Sequence, residues 1–315
     1  MGKPSVTVIC IAYNHGDWIE EALESVAMQD YYQKELIIVD NGSSDNTREK
    51  IKTWLQGFTG LFPIKTVFKD KEQAYCSLFN EVLFSTETDY IVDLAGDDVL
   101  YPDHLSLSIK QLEMDRSAAF VFSDAYILDE KGNIKTFYKR NGFGELLEEV
   151  ELGIIYQTLL QRSYICAATL VFNARLLKEE GGYDSSLFYE DFDIQLRLTR
   201  KYPVLFSDHI GILKRQHGRS MSAGQYQSHH SNMLPSTVLV CQKAHKMNLT
   251  SEENKALGER VMFELKHALW SANFSSASSL VELGEKIGIK KPLFGLYKLW
   301  AKMRWDISWV YESAT

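Results

Sequence analysis

Val6-Thr7-Val8-Ile9-Cys10-Ile11-Ala12-Tyr13-Asn14 is a continuous β-rich apolar run that stops on an aromatic residue and an amide. A strand with one wet face alternates apolar and polar residues. A run without that alternation marks a strand buried on both faces, as in parallel sheets. The pattern recurs along the chain. Residues 36–39 read as a second buried strand, ending at Asp40. Residues 64–68 read as a third and 90–94 as a fourth, the last running into Gly96-Asp97-Asp98. Helical periodicity separates them. Ile19, Ala22, Leu23, Val26 and Ala27 follow Asp17 and Glu20, which are placed for a capping box. Ile51, Trp54 and Leu55 form a second apolar face, and Tyr75, Leu78, Phe79, Val82 and Leu83 a third. This alternation predicts an α/β fold: a doubly wound, mostly parallel sheet with helices on both faces. Ligands of such sheets bind beyond the carboxyl ends of the strands. Tyr13-Asn14, Asp40-Asn41 and Asp97-Asp98 all stand at such ends.

The pattern loosens after Ala118. Residues 119–123 read as a strand, 126–137 as a hairpin about Lys131-Gly132-Asn133, and 166–172 as a strand. Gly181-Gly182 ends a short helix and Asp191 opens another. From Gln225 onward the chain reads as helical and more polar. The expected organisation is one α/β domain over residues 1–224 and a helical C-terminal extension over 225–315.

Composition narrows the function. The 315-residue chain carries a formal net charge of -8, which disfavours work on a nucleic-acid backbone but leaves room for one small anion in a local basic pocket. Cys10, Cys76, Cys166 and Cys241 are far apart and lack zinc-ligand spacing. Buried, reduced thiols fit a cytoplasmic protein. The N-terminal residues lead into the first strand without a signal-peptide pattern, and no apolar run is long enough to span a bilayer.

Adjacent carboxylates in a turn after a buried strand make a hard-metal site, because magnesium and manganese favour oxygen ligands and share them with substrate phosphates. On the pair alone, an acidic capping turn before Pro102 explains Asp97-Asp98 equally well. Four further segments accompany it. They are the opening run to Tyr13-Asn14, residues 36–47 with Asp40-Asn41-Gly42-Ser43-Ser44-Asp45, Tyr189-Glu190-Asp191 with Arg197, and Arg215-Gln216-His217-Gly218-Arg219-Ser220. In this order and spacing the sequence resembles the inverting family-2 glycosyltransferases of GT-A fold. The resemblance covers roughly the first 220 residues.

That resemblance implies an enzyme that moves a sugar from a nucleoside-diphosphate sugar, a UDP-sugar above all, to a hydroxyl of a glycan or lipid-linked acceptor, with Mn2+ or Mg2+ as cofactor. It implies that Tyr13, Asn14 and Asn41 line the nucleoside pocket, an aromatic ring covering the base and an amide accepting from it. Turn chemistry is the plainer account of both asparagines. Asp40 either sits beneath the nucleoside or caps its turn. Asn80 falls where the family carries a donor-side Asn, although Tyr75-Cys76-Ser77-Leu78-Phe79-Asn80 departs from the family's pattern. Asp97 is assigned to ribose or metal-bound water, Asp98 to the metal, and His217 to metal or phosphate. Arg215 and Arg219 are assigned to phosphate. Asp191 is the implied general base, with Glu190 orienting the acceptor; a helix N-terminus would keep Asp191 ionised, and an N-cap role is compatible with that.

Residues 290–310 mix Leu293, Phe294, Leu296, Leu299, Trp300, Trp305 and Trp309 with Lys290, Lys291, Lys298, Lys302 and Arg304. Two readings stand: a helix lying on a membrane surface, and a terminal helix packed on the domain. Competing functions are a nucleotidyltransferase, which needs a glycine-rich basic loop where Tyr13-Asn14-His15-Gly16-Asp17 stands, and a non-catalytic nucleotide-sugar-binding protein, against which the retention of Asp97, Asp98, Glu190 and Asp191 together argues. No GxGxxG follows the first strand, which disfavours a dinucleotide oxidoreductase.

Overall fold

The computed structural model describes residues 2–312. The strands are β1 (Val6–Ala12), β2 (Lys34–Asp40), β3 (Ile64–Phe68), β4 (Tyr90–Ala95), β5 (Val99–Leu100), β6 (Phe120–Leu128), β7 (Ile134–Thr136), β8 (Val171–Asn173) and β9 (Leu205–Arg215). The helices are α1 (Ile19–Ala27), α2 (Thr47–Gly57), α3 (Tyr75–Leu83), α4 (His104–Met114), α5 (Tyr156–Gln161), α6 (Ala174–Glu179), α7 (Asp191–Thr199), α8 (Met233–Met247), α9 (Ser251–Trp270), α10 (Phe274–Ile287), α11 (Pro292–Met303) and α12 (Ser308–Glu312).

By compactness the chain forms two units whose segments interleave along the sequence. The first comprises Met1–Ile155, Ile165–Ser185 and Arg197–Gln216; the second comprises Tyr156–Tyr164, Ser186–Leu196 and His217–Thr315.

The first unit holds the sheet, in the order β3-β2-β1-β4-β8-β6-β9-β5, with β7 beside β6. β3, β2, β1 and β4 pair in parallel, as the continuous apolar runs predict. Every residue of β1 is buried. Val8, Cys10, Leu36, Ile38, Val92 and Leu94 share one apolar cluster with Ile19, Leu23 and Val26 of α1 and with Leu105, Ile109 and Leu112 of α4. β3, with exposed Lys65 and Thr66, closes the edge. Beyond β4 the sheet is mixed: β8 runs antiparallel to β4 and β6, while β9 runs parallel to β6. The hairpin about Gly132 forms as expected, between β6 and β7.

Two local expectations are overturned. Trp18, not Asp17, occupies the N-cap of α1, with no side-chain cap; its N–H and that of Ile19 instead donate to the His15 carbonyl. The stretch read as one strand from 166 starts as a 3-10 turn, Ala167–Thr169, and only Val171–Asn173 pairs. Thr169 explains the turn, because its hydroxyl donates to the Cys166 carbonyl at 2.9 Å.

The second unit is helical. α9 packs with α5, α8, α10 and α11. Its start is fixed by a capping box in which Thr250 accepts from the Glu253 N–H and Glu253 reaches back. Among the described residues no helix is long and apolar enough to cross a membrane.

Candidate functional site

In the first unit the carboxyl ends of β1, β2 and β4 are laced together by side chains. Asn14 adopts a left-handed backbone (φ 55), and its side-chain oxygen accepts from the Ser44 N–H at 2.8 Å, tying the β1 end to the β2 turn. Asp40 is fully buried and accepts from Arg48 Nε at 2.6 Å and from the Ser43 N–H at 3.1 Å. Asn41 makes a reciprocal pair with the backbone of Gln73: its amide donates to the Gln73 carbonyl and its oxygen accepts the Gln73 N–H, each at 2.9 Å. Gly42 permits this close approach. At its φ of +74 a Cβ would lie 2.4 Å from the Lys71 carbonyl carbon. Tyr13 remains 38 % exposed at the rim, and the hydrogen bond between its hydroxyl and Glu72 raises the phenol pKa.

The Asp97-Asp98 turn presses on the β1 end. A Cβ at Gly96 would lie 2.9 Å from both the Ala12 Cβ and His15 Nδ1. His15 Nδ1 is 3.9 Å from Asp97 Oδ1. Asp98 is 2 % exposed, and its Oδ1 accepts the Arg215 N–H at 2.9 Å. Burial pushes its carboxyl up to about 7; Lys214 pulls it down and Asp97 pushes it further up. The Arg215 guanidinium donates to the Asp97 carbonyl at 2.6 Å and pairs with Glu21. Asn80 is tied to Tyr183, donating to its carbonyl at 2.7 Å and accepting its N–H at 2.8 Å.

In the second unit, Glu190 and Asp191 open α7. Asp191 is half-buried, and its Oδ1 accepts from the Phe192 N–H at 2.6 Å; the Glu190 carbonyl accepts from Ile194 N–H. Helix α8 holds this segment from one side. Ser236 Oγ accepts the Phe188 N–H at 2.8 Å, Thr237 Oγ1 lies 2.7 Å from the Tyr189 hydroxyl, and Lys243 Nζ lies 2.6 Å from Asp193, itself 1 % exposed. Phe192 packs beneath the Arg260 guanidinium, which pairs with buried Glu264. His217 and Arg219 belong to the same unit. The His217 carbonyl accepts from the Ser220 N–H at 2.8 Å in a tight turn, with Arg219 exposed.

The α8 contacts give a stability prediction. Thr237→Val leaves a buried phenol hydroxyl without that partner and should cost about 1–3 kcal/mol, whereas Thr237→Val with Tyr189→Phe should recover most of it. Urea denaturation of both single variants and the double variant measures the coupling. Strictly additive losses would remove Thr237 from the support of this segment.

Residues 7–168 match the model of Glycosyl transferase family 2. The chain belongs to this family. Relatives include an uncharacterized glycosyltransferase of Rickettsia typhi, 28% identical over 68% of this chain and 65% of its own. Escherichia coli chondroitin synthase is 26% identical over 70% of this chain and 30% of its own length. The chain spans only 35% of the length of related Rickettsia felis and Rickettsia conorii proteins. Among solved structures, S. aureus TarS 1-349 with UDP-GlcNAc superposes with a TM-score of 0.69 at 15% identity, covering 99% of this chain and 92% of that one. The Pyrobaculum calidifontis mannosyltransferase PcManGT, solved with GDP-Man and Mn2+, gives 0.60 at 17% identity over 96% of this chain and 85% of that one. The fold is GT-A-like, with a C-terminal helical region.

Among the described residues no group of three or more His, Cys, Asp and Glu side chains is arranged to hold a metal ion by itself. The Asp97-Asp98 turn of this family-2 chain nevertheless fits a cation that completes its shell with substrate oxygens. It offers two buried carboxylates, at one of which, Asp98, ionisation is costly, and positive charge would offset that cost. Sequence reading missed two groups: His15 beside Asp97, and Asp93. Asp93 accepts from the Tyr75 hydroxyl at 2.6 Å and the Tyr183 hydroxyl at 2.9 Å, and burial pushes its carboxyl up to about 6. A lone Asp inside an apolar strand was the available signal for the last.

Proposed function

We propose that this chain is a metal-assisted inverting glycosyltransferase that moves a sugar from a nucleoside-diphosphate sugar, by preference a UDP-sugar, to a hydroxyl of a glycan or lipid-linked saccharide. The observation that carries the reading is the Asp97-Asp98 turn of a family-2 chain, pinned between the end of β1 and Arg215 with Asp98 buried. Asp98, with Asp97, would hold Mg2+ or Mn2+, which supplies charge neutralisation for the departing diphosphate. Tyr13 covers the base. Asp40, Asn14 and Asn41 shape the nucleoside pocket by holding its loops, and Asn80 and Arg215 act likewise through backbone contacts. Arg219 and His217 would contact phosphate or metal. Asp191 accepts the proton of the acceptor hydroxyl as its oxygen bonds to the anomeric carbon and the sugar–phosphate bond breaks; Glu190 orients the acceptor. Direct displacement inverts the anomeric centre and needs no protein nucleophile.

The names of related proteins, among them a chondroitin synthase and a putative teichuronic acid biosynthesis glycosyltransferase of Bacillus subtilis, favour surface polysaccharide or glycoconjugate synthesis. Four buried free cysteines favour a reducing, cytoplasmic setting. Calorimetric titration with UDP-GlcNAc, UDP-glucose and GDP-mannose, each with Mn2+ and with EDTA, tests the donor. Metal-dependent binding of a UDP-sugar at least about tenfold tighter than GDP-mannose is expected, a difference of about 1.4 kcal/mol. Tighter binding of GDP-mannose would overturn the uridine preference. Binding indifferent to EDTA would overturn the metal.

A further inference from the structure

Helix α11 carries two faces of opposite character. Phe294 and Ala301 are buried, and α10 makes room for the Phe294 ring at Gly284, where a Cβ would come within 2.6 Å of it. Lys298 adds an ion pair to Glu285 of α10. The helix is therefore packed on the fold, as one of the two sequence readings expects. The other face is bare. Leu293, Leu296, Leu299 and Met303 recur at spacings of three, three and four, and each is about half exposed or more, Leu296 reaching 63%. Arg304, in a left-handed backbone (φ 52), turns the chain after α11, and Trp305 and the 72% exposed Trp309 extend the apolar surface.

The charge around this stripe is segregated. Between Ile289 and Trp305 there are five basic residues, Lys290, Lys291, Lys298, Lys302 and Arg304, and no Asp or Glu, in a chain whose net charge is -8. A second copy of this chain seated on the stripe would bring like charges together, which disfavours self-association. A zwitterionic or neutral surface would offer no net negative charge to Lys290, Lys291 and Lys302, whereas Lys298 already pairs with Glu285. An anionic bilayer satisfies both features, because leucines and tryptophans enter the headgroup boundary while lysine and arginine ends stay with the phosphates.

We propose that α11 and the Trp305–Trp309 segment dock this protein on an anionic lipid surface, with the helix lying in the plane of the interface. The proposal does not depend on the donor or the base assignments.

Flotation of the full chain with vesicles of phosphatidylcholine alone, and of phosphatidylcholine mixed with phosphatidylglycerol, tests it. The protein should float with the mixed vesicles and stay in the dense fraction with phosphatidylcholine. Lys291→Gln with Lys302→Gln should weaken partitioning by about tenfold or more, since each basic side chain near the surface contributes several-fold. Leu296→Glu with Leu299→Glu should abolish flotation, and both pairs are exposed, so circular dichroism should be unchanged. Equal flotation on both vesicle types, no flotation on either, or unaltered flotation of the leucine variant would each overturn the proposal. So would a dimer in sedimentation that the leucine variant dissolves without a change in flotation, which would make the face a self-interface.

Discussion

Asp191→Asn lowers kcat for sugar transfer by about 10²- to 10⁴-fold, the usual contribution of a general base, and leaves donor affinity within a few-fold. The substitution preserves the backbone contact at the start of α7. Asn keeps an oxygen to accept the Phe192 N–H, the contact Asp191 Oδ1 makes at 2.6 Å at the start of α7. Asn is as good as Asp at a helix N-terminus, so stability should move by less than about 1 kcal/mol. The supports from α8, through Ser236, Thr237 and Lys243, do not involve the Asp191 carboxylate and stay in place. What is lost is the basic oxygen. Initial rates at saturating donor and acceptor, alongside calorimetric donor titration, separate the two effects. Turnover at the native rate would remove Asp191 as the base; a parallel loss of donor binding would recast it as part of the donor pocket.

Asp98→Asn should act oppositely on stability and activity. The carboxyl is 2 % exposed, and burial penalises its charge. Asn retains an acceptor for the Arg215 N–H now bound at 2.9 Å and carries no charge to bury, so the variant's melting temperature should equal or exceed that of the native chain. Metal-dependent donor binding and transfer should nevertheless fall by about 10²- to 10³-fold, the size of several kcal/mol of lost charge stabilisation. Differential scanning calorimetry without metal, paired with Mn2+-dependent donor titration, reads both. A variant that melts much lower yet binds donor normally with Mn2+ would show that Asp98 is a structural cap. A structural cap is the alternative that the dipeptide alone leaves open.

The parallel half of the sheet was legible because its signal is local. Val6–Ala12, apart from Thr7, and residues 36–39 are apolar at every position, the composition of a strand covered on both faces. The positions of Tyr13, Asp40 and Asp97 at strand ends follow from the same runs. The mixed half, from β5 onward, was harder to read. β5 has two residues and β8 three, too few for periodicity, and their pairing with distant β9 and β4 leaves no trace in neighbouring residues. Helix starts also resisted: α1 has a capping-box sequence, but the loop folds so that the His15 carbonyl takes the first N–H groups.

Residue types and their order along the chain determined by themselves the alternating α/β frame, the family resemblance and the presence of carboxylates after a buried strand and at a helix start. Only the tertiary structure decided what the polar side chains between them touch. Asn14 and Asn41 read as nucleoside contacts or turn formers and Asn80 as a donor-side contact, and each engages backbone far along the chain, of Ser44, Gln73 and Tyr183 respectively. Arg215, assigned to phosphate, is held by the Asp97 carbonyl and Glu21. The reason is that a side chain's hydrogen-bond partner depends on which loop the strand order carries beside it. Residues 14 and 44, 41 and 73, and 80 and 183 are brought together by packing across the first unit, and a window of sequence contains only one member of each pair.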